Sequence, residues 1–165
     1  MRHIIAALVE NKPGVLARVS SLFRRRGFNI DSLAVGTTER EDISRMTIVV
    51  RGDDRTVEQV IKQLNKLVEV VKVSDLSENS VNRILALIKV AVNSENRGEI
   101  VQIANIFRAR IVDVARDSMI IEITGDEAKI DAFTNLMRAY GIKEFVKTGV
   151  VSMARGSKIV EVSSH

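Results

Sequence analysis

The sequence predicts an α+β protein made of two consecutive domains, each with the element order β-α-β-β-α-β. Short apolar runs that are typical of strands alternate with amphipathic stretches that are typical of helices. The same order occurs twice along the 165 residues, with a polar joint at residues 75–80 between the two copies. This order is that of the ferredoxin-like fold, in which two helices cover one face of a four-stranded antiparallel sheet.

The first half contains the four strands and two helices of one such domain. In chain order, these elements are predicted at residues 4–9, 15–27, 29–35, 45–51, 57–67 and 68–73. The helical stretches carry apolar residues at i, i+3 and i+4 spacing, and Gly27 is a natural stop for the first helix. A polar stretch at 36–42 joins the second and third strands. Right-handed crossovers predict the strand order 4-1-3-2, with strand 2 at an edge.

The second half repeats this pattern. Its elements are predicted at residues 83–92, 100–107, 111–115, 119–124, 130–141 and 143–151. A shift of 84 residues aligns Gly14 with Gly98 and Phe23 with Phe107. We therefore expect one domain at 1–76, a second at 81–158, and a flexible tail at 159–165.

Composition excludes several classes of site. The chain has no cysteine, which rules out disulfides and thiolate chemistry. Its two histidines, His3 and His165, stand near the chain ends without a partner at catalytic or metal-ligand spacing. No secretory leader and no apolar run of about 20 residues is present, so we expect a cytoplasmic protein. The net charge is only +4, and 21 acidic residues are interspersed among the basic ones. Nucleic-acid binding usually requires a concentrated basic face, so this charge pattern does not favour it.

The stretch Asn11-Lys12-Pro13-Gly14-Val15-Leu16 is the best candidate binding site. A turn from a strand into a helix exposes backbone N–H groups at the positive end of the helix dipole, and these groups can hold a carboxylate. Gly14 leaves room for the ligand, and the Asn11 amide offers a donor and an acceptor. Asn29 could reach the same place from the same chain or from a second one, and Val9, Leu16 and Ile30 could line a small apolar pocket. The ordinary alternative is that Asn11 caps the helix and Asn29 serves a turn.

Two other classes of protein share this fold: a small phosphatase and an RNA-binding domain. A small phosphatase of the acylphosphatase type needs an arginine near the first helix and a nearby asparagine, and Arg18 and Asn29 are the available residues. RNA-binding domains of this fold stack bases on aromatic side chains, which the third strand at 45–51 lacks. The RNA-binding function is therefore disfavoured, whereas the phosphatase stays open.

Seven motifs follow one another along nearly the whole chain: Val9–Leu16, Leu22–Leu33, Ser44–Ile48, Lys62–Leu67, Arg83–Val90, Ile106–Asp113 and Gly149–Gly156. In sequence and order, they resemble the small regulatory subunits of acetolactate synthase, which are built on the ACT domain. The resemblance implies an N-terminal ACT domain followed by an ACT-like domain. It also implies a homodimer in which ACT domains pair side by side.

The resemblance further implies a non-catalytic subunit that activates the catalytic large subunit in the first common step of valine, leucine and isoleucine synthesis. Thiamine diphosphate, FAD and magnesium would all belong to that partner. Valine would signal feedback inhibition from a site between two ACT domains. The family's effector residues fall on Asn11, Gly14, Val15 and Leu16, with Asn29 and Ile30 from the facing domain.

Some positions depart from the family pattern. Gly36-Thr37 stands where many members have Ala-Pro. In the second half, Glu95 and Asp113 replace the two asparagines, and two acids would repel a carboxylate. We therefore expect that the second domain does not bind valine in the same way. A stand-alone amino-acid sensor with another target remains an alternative.

Overall fold

The computed structural model describes residues 1–162 and divides the chain into two compact units. The first unit consists of Met1–Val81 together with the residues from Gly149 onward, and the second is Asn82–Thr148. Within the described residues, no helix is long and apolar enough to cross a membrane.

The first unit has the predicted fold. Its elements are β1 (Arg2–Glu10), α1 (Val15–Arg26), β2 (Asn29–Thr37), β3 (Ile43–Arg51), α2 (Asp54–Asn65) and β4 (Val70–Asp75). All strand pairs are antiparallel, and the sheet order β2-β3-β1-β4 confirms the predicted order with β2 at an edge.

Alternation along β1 and β3 builds the core of the first unit. Every second side chain points to the two helices and is buried against their apolar faces. The cluster includes Ile5, Ala7, Val9, Met46, Ile48, Val50, Val19, Phe23, Val60 and Leu64. At the start of α2, Asp53 caps the helix by accepting a hydrogen bond from the Thr56 N–H at 2.9 Å.

The second unit repeats the order. Its elements are β5 (Ser80–Ala91), α3 (Arg97–Ile106), β6 (Arg110–Val114), β7 (Ser118–Gly125), α4 (Glu127–Arg138) and β8 (Ile142–Lys147). The strand order is β6-β7-β5-β8, with a further strand, β9 (Val151–Ala154), paired to β5. The α+β class and the two ferredoxin-like domains are confirmed.

The prediction of one last strand at 143–151 was wrong, because β8 ends at Lys147 and β9 begins only at Val151. The predicted second domain ran to residue 158, whereas the structure places the residues from Gly149 onward with the first unit. There, the Val150 N–H donates to Ser32 Oγ at 2.9 Å, and Arg45 Nη2 donates to the Ser152 carbonyl at 2.7 Å. These contacts join residues more than 100 positions apart, so local sequence patterns did not reveal them.

Residues 149–162, which we call the C-terminal strap, cross the sheet face that is turned away from α1 and α2. Leu8 and Ile43 from the sheet line a groove together with Met153, Val160 and Val162 of the strap. Four sheet residues on this second face are almost fully buried from solvent: Ala6, Leu8, Thr47 and Val49. Two strap residues, Val150 and Ser152, are buried as well. The described part of the predicted flexible tail thus contributes partly buried valines, while 163–165 lie outside the described residues.

Candidate functional site

The turn between β1 and α1 is anchored to the loop before β3. The Asn11 N–H donates to the Asp42 carbonyl at 2.8 Å, and Asn11 Nδ2 donates to the Glu41 carbonyl at 2.9 Å. Asn11 therefore does not cap α1, contrary to the ordinary alternative. Its amide is oriented by the loop, and the side-chain oxygen remains as an acceptor at the mouth of the turn.

Gly14 is the N-cap of α1 and has φ +86°, a left-handed conformation that glycine adopts without strain. It gives the helix no side-chain cap, and a Cβ built on it would have no neighbour within 4 Å. Within residues 1–162, the N–H groups of Gly14, Leu16 and Ala17 donate to no protein acceptor. The helix thus begins in open space with unpaired donors at the positive end of its dipole.

Val15 and Leu16 differ in how far their side chains are exposed to solvent. The Val15 side chain is buried in the core, and its N–H points to the Lys12 carbonyl at 3.4 Å. Leu16 is 46% exposed and stands beside the free amides. Val9, predicted to line a small apolar pocket at this site, is also a core residue. The free Ala17 N–H is a further donor, one residue beyond the stretch that the sequence pattern indicates.

Asn29 and Ile30 lie at the opposite end of the sheet from the turn. Asn29 pairs with Arg51 at the end of β3, while Glu10, which precedes the turn, pairs with Ile43 at its start. The nine residues of β3 span about 26 Å at the usual rise per residue. A single chain therefore does not bring Asn29 and the turn together, and the hypothesis of a site within one chain is wrong.

An ion-pair cluster organises the start of β2 beside Asn29. Asp31 lies 2.7 Å from Arg51 Nε and 3.0 Å from Arg2 Nε. The hydrogen bond from Arg51 lowers the pKa of the Asp31 carboxyl, with a further contribution from the Arg2 charge. A β-bulge between Ile30 and Ser32 accommodates this arrangement, which holds the first residues of the edge strand in place.

Arg18 does not serve a phosphate site in this geometry. Its Nη1 donates to Glu69 Oε1 at 2.6 Å, so its charge is already paired. Asn29, the second residue of the phosphatase alternative, is at the far end of the sheet. The structure therefore gives this alternative no assembled site.

The corresponding turn of the second unit is built differently. The aligned residue Gly98 is inside the first turn of α3, whose N-cap is Asn96 in a right-handed conformation. The Asn93 side chain accepts from the Glu95 and Asn96 N–H groups, each at 2.9 Å. The Asn93 side chain therefore occupies two N–H donors of this loop. The left-handed glycine that opens the first turn has no counterpart here.

Comparisons with known proteins agree over both units. A family model described as the AHAS small subunit-like ACT domain matches residues 5–72, and one for the small subunit of acetolactate synthase matches residues 83–156. The second match includes β9, although β9 packs with the first unit.

Curated relatives match along nearly their full length. A probable acetolactate synthase small subunit of Archaeoglobus fulgidus is 70% identical over 158 residues, covering 96% of this chain and 99% of the relative. The acetolactate synthase small subunit of Mycolicibacterium smegmatis is 55% identical over 157 residues, covering 94% and 92%. The crystal structure of the small subunit from Thermotoga maritima superposes with a TM-score of 0.90 at 49% identity, covering 96% of this chain and 99% of that one. The chain therefore belongs to the family of acetolactate synthase small subunits.

Proposed function

We propose that this chain is the regulatory subunit of an acetolactate synthase, that it activates the separate catalytic subunit, and that it makes the enzyme sensitive to valine. Its family supports the regulatory role. The observation that carries the effector proposal is the left-handed Gly14 with unpaired amides around it. In this proposal, the chain is cytoplasmic and non-catalytic. Thiamine diphosphate, FAD and magnesium act on the catalytic subunit.

The turn has complementary groups for each part of a branched amino acid. The amides of Gly14, Leu16 and Ala17 receive the carboxylate at the helix N-terminus. The Asn11 side-chain oxygen accepts from the ammonium group. The exposed Leu16 side chain contacts the aliphatic branch.

A second copy of the chain completes this site. Strand β2 is an edge of the sheet and runs from Asn29 at the far end to Thr37 at the end that carries the turn. Antiparallel pairing of two β2 strands about a twofold axis places the partner's first residues beside that end. Asn29 and Ile30 of one protomer then meet Asn11 and Gly14 of its partner. The homodimer is thus part of the same proposal, because the site is incomplete without it.

Valine transmits its signal through this interface. An effector shifts an equilibrium only when it binds one state better than the other. A ligand held by two protomers senses any rotation of one sheet against the other, because such a rotation changes the distance between the turn and the facing Asn29. The dimer interface is therefore the element that couples binding to the catalytic subunit.

Replacing Gly14 with Asp tests the position of the carboxylate. The φ of +86° strains any side chain here, but Asp is one of the few residues that visit left-handed backbone, the position has free space, and an acid is favoured near a helix N-terminus. Gly14→Asp should therefore leave the fold intact while its charge repels the ligand carboxylate, with about a tenfold or greater loss of valine affinity in calorimetry. Gly14→Asn is the matched control, with the same size and no charge, and should retain more affinity. Equal valine affinity in wild type and Gly14→Asp would exclude this geometry.

Mixed dimers test the contribution of the second protomer. Gly14→Asp homodimers and Asn29→Ala homodimers should each bind valine poorly. Mixing and exchanging protomers should restore binding, because each hybrid dimer contains one site with an intact turn and an intact facing Asn29. A site within one chain predicts no restoration.

Assays with the catalytic subunit distinguish the regulatory subunit from a stand-alone sensor. The proposal expects the two subunits to co-purify, activity to rise on mixing, and valine to reduce that activity. A sensor with another target would bind valine and leave the activity of the catalytic subunit unchanged.

A further inference from the structure

A second polar pocket lies in the first unit, at the end of the sheet where β1 begins. It is an open cavity of about 420 Å³, and its walls include His3, Asp54, Asp75, Ser77, Arg155 and Lys158. None of these residues belongs to the turn at 11–16. The pocket is therefore a separate feature that valine regulation does not use.

His3 lines this pocket, and one of its ring nitrogens has no hydrogen-bond partner in the described residues. Its side chain is 8% exposed, and Nε2 is buried without a hydrogen-bond partner among residues 1–162. The nearest charged group is the Asp54 carboxylate, whose Oδ1 is 3.9 Å from Nε2, too far for a hydrogen bond. A buried polar atom without a partner is costly, so this nitrogen favours any ligand that satisfies it.

The surrounding hydrogen bonds determine the tautomer of His3. The Ser77 hydroxyl has one proton, which it donates to Asp75 Oδ1 at 2.5 Å. Ser77 Oγ accepts from the Ile4 N–H at 3.1 Å and faces His3 Nδ1 at 3.4 Å. Because the hydroxyl proton is already used, the proton between Ser77 and His3 is on Nδ1. In the neutral form of the ring, Nε2 then has no proton and is a hydrogen-bond acceptor.

The two sides of the pocket carry opposite charges. Nε2 and the Asp54 carboxylate attract a positively charged N–H donor, and Glu78 adds a further acidic residue to the lining, while the Asp75 carboxylate accepts from Ser77. Arg155 and Lys158 supply two cations from the C-terminal strap. Lys158 Nζ donates to the Asp75 carbonyl at 3.4 Å, and neither Lys158 nor Arg155 forms an ion pair within residues 1–162. A metal ion is disfavoured because no group of three histidine or acidic ligands exists in the described part of the chain.

We propose that this pocket binds a small zwitterion, whose ammonium group donates to His3 Nε2 and Asp54 and whose anionic group pairs with Arg155 and Lys158. The ligand satisfies the buried nitrogen and bridges α2 to the strap. This site is independent of the valine site at the β2 edge, so either proposal can fail without the other.

Histidine ring NMR of the full-length protein tests the proposal directly. The sequence has only two histidines, so the His3 ring signals are readily assigned in ¹⁵N-histidine-labelled protein. At a pH where the ring is neutral, the free protein should carry the ring proton on Nδ1 and none on Nε2. Titration with glycine, β-alanine, 4-aminobutyrate and 6-aminohexanoate should shift the Nε2 signal saturably for at least one chain length. Methylammonium and acetate, which each carry only one half of the ligand, should bind more weakly.

Charge variants locate the ligand, and all are made in the Gly14→Asp background to remove binding at the turn. Asp54→Asn should weaken the best zwitterion on the order of tenfold, because one charge-assisted contact is lost. Glu58→Gln is the matched control, since it removes the same charge from an exposed position of the same helix outside the pocket. A neutral ring with its proton on Nε2, no saturable shift with any probe, or equal affinity of these two variants would each overturn the proposal.

Discussion

Gly149 is the position at which the C-terminal strap meets the edge strand of the first unit. A Cβ built on Gly149 would lie 2.5 Å from the Leu33 carbonyl oxygen and 2.7 Å from the Leu33 carbonyl carbon. Real Cβ atoms essentially never approach below 3.0 Å, and backbone cannot rotate away as a side chain can. Gly149→Ala must therefore move the strap by at least half an ångström.

The displacement also weakens the adjacent hydrogen bond. The Val150 N–H donates to Ser32 Oγ at 2.9 Å, and a half-ångström shift along this direction would exceed good hydrogen-bond geometry. Overpacking of this kind costs about 1–3 kcal/mol. For a chain of this size, each kcal/mol lowers Tm by about 2–4 °C, so we expect a fall of roughly 2–12 °C.

Thermal unfolding and amide hydrogen exchange measure this effect. Gly149→Ala should lower Tm and accelerate exchange of the Val150 amide, because the strap opens locally. Gly98→Ala is the control, since a Cβ at Gly98 meets nothing within 4 Å and alanine favours its helix. The reasoning is refuted if Gly149→Ala has the same Tm and the same Val150 exchange rate as the wild type.

Two further predictions concern single side chains. The hydrogen bond from Arg51 holds the pKa of Asp31 below its ordinary value of 3.8, so the stabilisation from this carboxylate is complete above 3.8 and is lost as the pH falls through the lower folded pKa. Asp31→Asn should therefore lose less stability than the wild type on acidification, as measured by circular dichroism. Parallel acid-unfolding curves of the two proteins would contradict this. Asp126 caps α4 by accepting a hydrogen bond from the Lys129 N–H at 2.9 Å. Asp126→Ala should therefore lower the free energy of unfolding by about 1 kcal/mol in denaturant titrations, whereas Asp126→Asn should keep most of the wild-type stability. An equal loss in both variants would argue against a capping role.

The order of strands in the first unit follows from local patterns. Apolar residues repeat every second position in strands and every third or fourth in helices, and these periods are properties of short stretches. Handedness rules then leave few ways to arrange four strands and two helices. For this reason the sequence patterns correctly predict that β2 is an edge strand.

The turn at Gly14 was also predictable in part. A glycine after proline, directly before a helical pattern, predicts a sharp turn with free helix amides, and Gly14 indeed has a positive φ. The role of Asn11 was not predictable, because its amide bonds to Glu41, a residue 30 positions away. Gly98 aligned with Gly14 but lies within a helix, since local identity does not determine where a helix begins.

The sequence alone determined the fold class, the edge position of β2 and the open helix N-terminus, because each depends on residues close together in the chain. Only the tertiary structure decided that residues after 149 pack with the first unit, that Asn29 lies far from the turn, and that His3 Nε2 is buried without a partner in the described residues. These features join segments separated by many residues. Their geometry depends on how whole sheets and loops pack, which no periodicity in a short window encodes.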